Sequence, residues 1–295
     1  ALHDSLPIPI IRSKLYPPPL ARDTVVRERL LALAPELSST SATLVSAPAG
    51  FGKSTLVSHW LDYDAGTTAW LSLEAEDNDL RHFASYVVAA LASVIPDCCD
   101  ETVRALQSLE ILDAVHLAGL FCNDLDSLNT PVVLVLDDYH KINASEVHEF
   151  LDTILRRPPR GLHIVIATRR DPPLALQALR ANGALTEIRM RHLAFNESET
   201  LEFMHKKLGD RIADQAIANL HQRTEGWPVG LRLAALAVPD SGVAGEFVDR
   251  IPSDVRSVRT YLMHEVLAKC PDTIRDYLLC TSFLDRFNAS IGEAV

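Results

Sequence analysis

The sequence SAPAGFGKST, residues 46–55, joins a short apolar stretch to a stretch with helical periodicity. It follows the phosphate-binding pattern G-x-x-x-x-G-K-[ST], except that Ala47 occupies the first glycine position. Alanine is the smallest substitute there and is tolerated if the local φ is negative. Because backbone N–H groups converge on phosphate oxygens in such a turn, and the following helix adds its dipole, the stretch predicts a strand, a phosphate-binding turn and a helix.

The residues of this loop have separate expected roles. Gly50 and Gly52 let the backbone approach the phosphates, Lys53 reaches the β- and γ-phosphates, and the Ser54 hydroxyl binds Mg²⁺. Thr55 lies nearer the α-phosphate. The predicted nucleotide-binding residues of the loop are Ala49, Gly50, Phe51, Gly52, Lys53, Ser54 and Thr55.

Two carboxylates, Asp137 and Asp138, end a second apolar stretch, VVLVLDD, at residues 132–138. Parallel strands present their carboxyl ends at the ligand crevice. We therefore expect Asp137 to hold Mg²⁺ through water, with Ser54 as the other predicted metal ligand. Asp138 is expected to orient or deprotonate the attacking water.

Two arginines follow a further apolar stretch, in IVIATRRD at residues 164–171. A cation at this strand end can lie near the γ-phosphate and report whether it is present. Arg169 directly follows the strand and is the predicted contact, whereas Arg170 is expected to be a surface charge. The predicted catalytic residues are Lys53, Asp137, Asp138 and Arg169.

Between residue 42 and about residue 190, short apolar stretches alternate with amphipathic ones. This alternation predicts an α/β fold of the P-loop NTPase class, in which helices cover both faces of a parallel sheet. Strands are expected at residues 42–46, 67–73, 131–140, 162–173 and 184–190, and helices at 53–63, 81–95, 115–128 and 145–159. A helix is also expected over residues 23–37, with Asp23 as its N-cap.

The pattern changes near residue 193, after which helices follow one another with short links. Asn196 and Glu199 have the spacing of a capping box at the start of the first of these helices. An all-α segment is therefore expected to follow the sheet. Its helices are predicted at residues 197–208, 212–224, 228–237, 255–269 and 272–280.

Composition limits the possible classes of protein. The 295 residues are 47% hydrophobic and 23% charged, as in ordinary globular proteins, and the length allows about two domains. No apolar run approaches the ~18 to 20 residues that a membrane span needs, and no signal peptide is visible, so we expect a cytoplasmic protein without a membrane partner. The net charge of −11 disfavours direct contact with DNA. Five cysteines without a CxxC motif suggest neither a disulfide framework nor a zinc ribbon.

Taken together, these motifs resemble the ATPase module of the large ATP-binding transcriptional regulators of the LuxR family, which are signal-transduction ATPases with numerous domains. The resemblance extends over essentially the whole chain. Besides the phosphate loop and the acidic strand, it includes SKLYPPP at residues 13–19, VVRERL at 25–30, LAFNESE at 193–199 and TEGWPVGL at 224–231.

The resemblance implies further contacts and a domain order. Val26 and Arg27 would lie by the adenine, and Pro228 would pack near the base from the helical segment. DNA would be bound only through a C-terminal domain absent here. The implied domains are a P-loop nucleotide-binding domain at 1–192, with residues 1–40 as a lead-in contacting the base, a helical domain at 193–250, and the start of a truncated winged-helix domain at 251–295.

A nucleotide-dependent switch is the function that these features predict. With ADP the protein would be closed, and with Mg-ATP it would open and self-associate; slow hydrolysis of ATP would reset it. The alternative is a P-loop motor or remodelling ATPase, which needs fast turnover and an arginine finger such as Arg156, Arg157 or Arg160. A module that binds nucleotide without hydrolysing it is a third possibility.

Overall fold

The computed structural model describes residues 6–21, 24–32, 40–63, 66–108, 111–128 and 130–237. Asp23, the helices predicted at 255–269 and 272–280, and the predicted winged-helix segment lie outside these residues. The chain divides into two compact units, residues 1–199 and 200–295, each described here by itself.

The first unit is built on a parallel sheet, five-stranded in the described residues, with strand order β2–β3–β4–β1–β5. The P-loop α/β class predicted from the sequence is confirmed. Strands β3 and β4 end earlier than predicted, at the residues where the chain turns away from the sheet. The strands are β1 (Ala42–Ser46), β2 (Thr68–Ser72), β3 (Val132–Asp137), β4 (Leu162–Thr168) and β5 (Leu185–Arg189).

Helices lie on both faces of this sheet, because successive side chains of each strand point to opposite faces and both sets are apolar. The helices are α1 (Glu28–Leu31), α2 (Lys53–Tyr63), α3 (Leu80–Ala92), α4 (Asp100–Gln107), α5 (Ala114–Asp126), α6 (Ser145–Arg156), α7 (Leu176–Ala181) and α8 (Met190–Leu193). Leu44 packs in a core with α3 to α7, whereas Val45 packs in a second core with α1, α2 and α8.

Helix α1 differs from its prediction. It begins at Glu28, and residues 24–27 are not helical, so the expected start at Asp23 is wrong. The reason is the burial pattern: Val25 is 2% exposed, Val26 50% and Arg27 4%. Side chains that alternate between inside and outside require extended backbone, since a helix would turn neighbours about 100° apart.

Up to residue 237, where the described residues end, three further helices follow, α9 (Glu197–Leu208), α10 (Asp214–Thr224) and α11 (Pro228–Ala237). Asn196 Oδ1 accepts a hydrogen bond from the Glu199 amide at 2.8 Å, and Glu199 Oε2 accepts one from the Asn196 amide at 3.0 Å. This confirms the predicted capping box. Among the described helices, none has both the length and the apolar character needed to cross a membrane.

Candidate functional site

The loop at residues 47–52 connects the end of β1 to the start of α2. Gly50 and Gly52 have φ values of 81° and 76°, a left-handed conformation that glycine adopts without strain. Ala47 has no positive φ, so the condition under which alanine is tolerated at this position is met. Glycine is thus needed at two loop positions, and neither is the position that alanine occupies.

Lys53 is the first residue of α2 and is 7% exposed. Its ammonium donates hydrogen bonds to the carbonyl oxygens of Ala47 at 2.9 Å and Pro48 at 3.1 Å. Burial, together with the nearby charge of Arg169, lowers the pKa of Lys53 to about 8. Burial thus disfavours the charged form of the Lys53 ammonium. A bound anion would stabilise that charged form, so a lysine in this loop is suited to anion binding.

Ser54 and Asp137 meet across the crevice. The Ser54 hydroxyl donates a hydrogen bond of 3.0 Å to Asp137 Oδ1, and the Asp138 amide donates to the same oxygen at 3.0 Å. Asp137 is 6% exposed, and burial is the main cause that raises its pKa above the ordinary value. A buried carboxylate next to a hydroxyl is a favourable place for a hard divalent cation.

Asp138 has a left-handed backbone, with φ 60°, which turns the chain immediately after β3. Its carboxylate lies 3.0 Å from the Lys141 ammonium and 3.8 Å from Nδ1 of His140. Burial lowers the pKa of His140 to about 4, so this imidazole is neutral at physiological pH.

The two arginines after β4 have different neighbours. Arg170 donates a hydrogen bond from Nη2 to Asn143 Oδ1 at 3.0 Å, in the loop that follows β3. Arg169 directly follows β4, and its positive charge contributes to lowering the pKa values of both Lys53 and His140. The structure thus brings four predicted residues to the carboxyl ends of β1, β3 and β4, namely Lys53, Asp137, Asp138 and Arg169.

The lead-in reaches the phosphate loop through Arg27. This guanidinium donates to the carbonyl oxygens of Leu193 at 2.8 Å and Gly52 at 3.4 Å, and lies 5.6 Å from the Phe195 ring centre. Burial lowers its pKa to about 10. Val26, the other predicted adenine contact, is half exposed beside it.

The remaining predicted residues lie in or next to the phosphate loop or at the start of α11. Ala49, Phe51 and Thr55 are partly exposed in or next to the loop, and Phe51 also packs against the core that contains α2. Pro228 is the first residue of α11, in the second unit, and its contact with a base remains a prediction.

A polar network at the edge of the site was missed by sequence reasoning. Asp171 accepts a hydrogen bond from the Ser46 hydroxyl at 3.1 Å and from Arg189 Nη2 at 3.0 Å. The Arg189 hydrogen bond is the main cause that lowers the pKa of Asp171. Ser46 and Arg189 are opposite each other in the β1–β5 pairing, so only strand order brings them together. No local motif marks this contact.

The donor set fits Mg²⁺ as a metal held jointly by protein and ligand. In the described ranges, no three or more His, Cys, Asp and Glu side chains gather into a metal-binding group. Mg²⁺ does not need such a group, because it commonly keeps several waters and takes one or two protein oxygens plus phosphate oxygens. The Ser54 hydroxyl and the Asp137 carboxylate supply two oxygens of that kind.

Comparisons with known proteins also indicate an ATPase domain. A family model described as AAA ATPase domain matches residues 18–167. The HTH-type transcriptional regulator MalT of Yersinia pestis (strain Pestoides F) is 31% identical over 284 residues, which cover 96% of this chain and 31% of the relative. MalT of Yersinia enterocolitica matches with the same identity and coverage. The chain therefore spans about a third of the length of these curated relatives.

Among solved structures, a signal-transduction ATPase with numerous domains from Pyrococcus horikoshii, with a tetratricopeptide repeat sensor, superposes with a TM-score of 0.56. It is 18% identical, and the match covers 95% of this chain and 37% of that one. At this identity the likeness concerns the fold.

Proposed function

This chain belongs to the AAA ATPase domain family, and on that premise we propose that it is the nucleotide-dependent switch of a bacterial transcriptional regulator of the LuxR family. The switch hydrolyses ATP slowly, is closed with ADP, and opens and self-associates with Mg-ATP. It works in the cytoplasm, and DNA is contacted by a part of the regulator outside this chain. The similarity to MalT over nearly the whole chain supports the regulatory setting.

The hydrogen bond between Ser54 and Asp137 is the observation that carries the proposal. It joins the helix after the phosphate loop, whose first residue is the buried Lys53, to the acidic strand. In the proposed site, Lys53 binds the β- and γ-phosphates, while Ser54 and Asp137 hold Mg²⁺. When bound, Mg²⁺ neutralises charge on the phosphate oxygens.

The proposal gives the other site residues the following roles. Asp138 orients or deprotonates the attacking water, and Arg169 contacts the γ-phosphate. Ala49, Gly50, Phe51, Gly52 and Thr55 surround the phosphates. Val26, Arg27 and Pro228 lie around the base.

We assign the proposed domains as follows. Residues 1–192 form the P-loop domain, within which 1–40 are the lead-in that contacts the base. Residues 193–250 form the helical domain. Residues 251–295 are the beginning of a winged-helix domain.

The free energy available from contacts with the γ-phosphate limits how far the population can shift between the closed and the open state. Moving a population from 1:99 to 99:1 takes about 5.5 kcal/mol of differential affinity. Charge-assisted hydrogen bonds contribute about 1.5 to 3 kcal/mol each, so contacts with Lys53 and Arg169 could supply much of this difference. An inducer that binds another part of the regulator would supply the rest.

The first experiment is to measure the nucleotide carried by the purified chain. The protein is denatured, and the supernatant is analysed by ion-exchange chromatography. We expect about one ADP per chain in the wild type and in Lys206→Met, a surface lysine paired with Glu202, and none in Lys53→Met. A wild-type chain that is empty and does not bind added Mg-ATP would overturn the proposal.

Turnover separates the switch from the alternative, a P-loop motor or remodelling ATPase. A switch retains ADP and turns over slowly, whether or not polymer is added. Rapid hydrolysis that a polymer or partner stimulates would favour the motor.

A further inference from the structure

Asn78 joins two loops at the carboxyl end of the sheet. Its Oδ1 accepts hydrogen bonds from the amides of Asn143 at 2.6 Å and Ala144 at 3.0 Å. Its Nδ2 donates to the carbonyl oxygens of Ala75 at 2.9 Å and Lys141 at 2.8 Å. An asparagine amide has two donor and two acceptor positions, so all four are used. Asn78 thus holds the loop after β3 against the segment after β2.

Asn143 carries this connection to a third strand. Its side-chain Oδ1 accepts the hydrogen bond from Arg170 Nη2 at 3.0 Å, and Arg170 immediately follows Arg169. A continuous polar chain therefore runs from Asn78 through Asn143 to Arg170. It connects the segments that follow β2, β3 and β4 without including any residue of the phosphate loop.

The loop held by Asn78 is the one that begins with Asp138. A left-handed backbone is unfavourable at a residue other than glycine, so it persists only where its surroundings fix it. Lys141 supplies one such constraint, because its ammonium is 3.0 Å from Asp138 and donates to the Leu73 carbonyl at 2.9 Å. The backbone carbonyl of the same Lys141 is fixed by Asn78.

We propose that Asn78 and Asn143 are positioning residues for ATP hydrolysis, which hold Asp138 and Arg169 in register across the ends of three strands. The inference rests on the proposed function, since it concerns the hydrolysis step of that same site. Neither asparagine is a catalytic residue, because each acts through the loop that it fixes.

The geometry separates hydrolysis from binding. The side-chain hydrogen bonds of Asn78 and Asn143 reach Ala75, Lys141, Ala144 and Arg170, along with the bond between the two asparagines. None of these residues belongs to the phosphate loop at 46–55. Removing the polar chain should therefore lower the rate of the chemical step and leave nucleotide affinity nearly unchanged.

The test uses the whole chain and two variants. Asn78→Ala removes the four side-chain hydrogen bonds that hold the loop after β3 against the segment after β2. Asn143→Ala removes the bond to Arg170 and the 3.3 Å bond from Asn143 Nδ2 to the Lys141 carbonyl oxygen. For Asn78→Ala we expect a single-turnover hydrolysis rate lowered about 10- to 100-fold, as for a small misplacement of a reacting group, with ADP affinity changed less than about threefold. Asn143→Ala should show a smaller loss of rate.

Asp124→Ala is the matched control. Asp124 accepts hydrogen bonds from the amide and hydroxyl of Thr102 at 2.9 and 2.7 Å, and so joins α4 to α5 as Asn78 joins its two loops. Its loss should lower thermal stability without lowering the hydrolysis rate of the folded protein. A merely structural role for Asn78 would give the same result as this control.

Amide hydrogen exchange provides a readout that does not depend on hydrolysis. Asn78→Ala should speed exchange in residues 139–144 and leave residues 46–55 unaffected. If exchange in 139–144 is unchanged, or if the variant hydrolyses ATP at the wild-type rate, the inference is wrong. A wild-type chain that neither binds nor hydrolyses nucleotide would instead contradict the proposed function, while the exchange result would still decide whether Asn78 orders the loop.

Discussion

Ser54 Oγ donates a hydrogen bond of 3.0 Å to Asp137 Oδ1, although 83 residues separate the two in the sequence. Ser54 is the second residue of α2, the helix after the phosphate loop, and Asp137 is the last residue of β3, which lies two positions from β1 in the sheet. The contact places a hydroxyl and a buried carboxylate at one point of the crevice.

Asp137→Asn should stabilise the chain when no nucleotide is bound. Burial raises the pKa of Asp137, so the ionised carboxylate disfavours the folded state, and this cost grows as pH rises from the unfolded-state pKa through the folded-state pKa. At neutral pH we expect the free energy of unfolding to increase by about 1 kcal/mol, a typical gain for relieving a functional site. Urea denaturation measures the change.

The same variant should lose the effect of Mg²⁺ on nucleotide affinity. Asp210→Asn, at an exposed position, is the control and should change neither quantity. A Mg²⁺ dependence that survives in Asp137→Asn would remove this carboxylate from the proposed metal site.

Nucleotide affinity should fall as the pH rises above about 8, the pKa of Lys53 in the free chain. Phosphate stabilises the ammonium, so the bound pKa is higher than the free pKa, and binding is strongest where the free lysine is already protonated. Above the free pKa, affinity should fall by up to about tenfold per pH unit. Titration calorimetry with ADP between about pH 7 and about pH 9 measures the curve.

Lys53→Arg is the informative variant for this curve. Arginine stays protonated throughout the range, so the pH dependence should become flat even if the affinity itself is lower. Lys206→Met should keep the wild-type curve. A wild-type affinity that does not change across the range would show that Lys53 does not control phosphate binding.

Substitutions at Gly52 and Ala47, the two ends of the loop, should differ in outcome: the first should be harmful and the second nearly neutral. Gly52 has φ 76°, and an added Cβ would lie 3.4 Å from Arg27 Nη2, so Gly52→Ala should lower stability by about 1 to 2 kcal/mol and weaken nucleotide binding. Ala47→Gly should leave affinity within about threefold, because no left-handed residue is needed there. Thermal unfolding and ADP titration compare the pair, and equal effects would contradict this account of the loop.

The stability of the chain should fall as the pH falls from about 7 to about 5, in part because of His163. This ring is fully buried, with one nitrogen 2.9 Å from Thr43 Oγ1 and the other 2.8 Å from the Thr40 carbonyl oxygen. Burial lowers its pKa in the folded state, so protons bind the unfolded state more readily. The loss from one such group is at most about 1.4 kcal/mol per pH unit.

His163→Gln should reduce this dependence without removing it, because burial also lowers the pKa values of His140 and His148. His116→Gln, at an exposed position on α5, is the control and should keep the wild-type slope. Urea denaturation at several pH values measures both variants. An unchanged slope in His163→Gln would mean that this ring does not titrate with unfolding.

Much of the fold could be predicted from local patterns. The bounds of β1, α2, α9 and α11 agree with the sequence, because a loop motif or a capping residue marks where each begins or ends. Strand β3 was predicted to continue beyond Asp137, but the left-handed turn at Asp138 ends it. The helix predicted over residues 23–37 begins too early. The leucine spacing after residue 29 gives no sign that Val25 and Arg27 are both buried, and this burial requires extended backbone before Glu28.

By itself the sequence determined the chemistry of the loop: two glycines where the backbone is left-handed, a lysine and a serine where the helix begins, and carboxylates at the end of a buried strand. Each of these features depends on residues that are neighbours in the sequence, because the backbone conformation of a turn or a helix start is limited by local side chains. Only the tertiary structure decided that β4 lies between β1 and β3, and that Asn78 and Arg170 meet at the same loop. Strand order and loop contacts arise from packing among residues far apart in sequence, so no local pattern contains them.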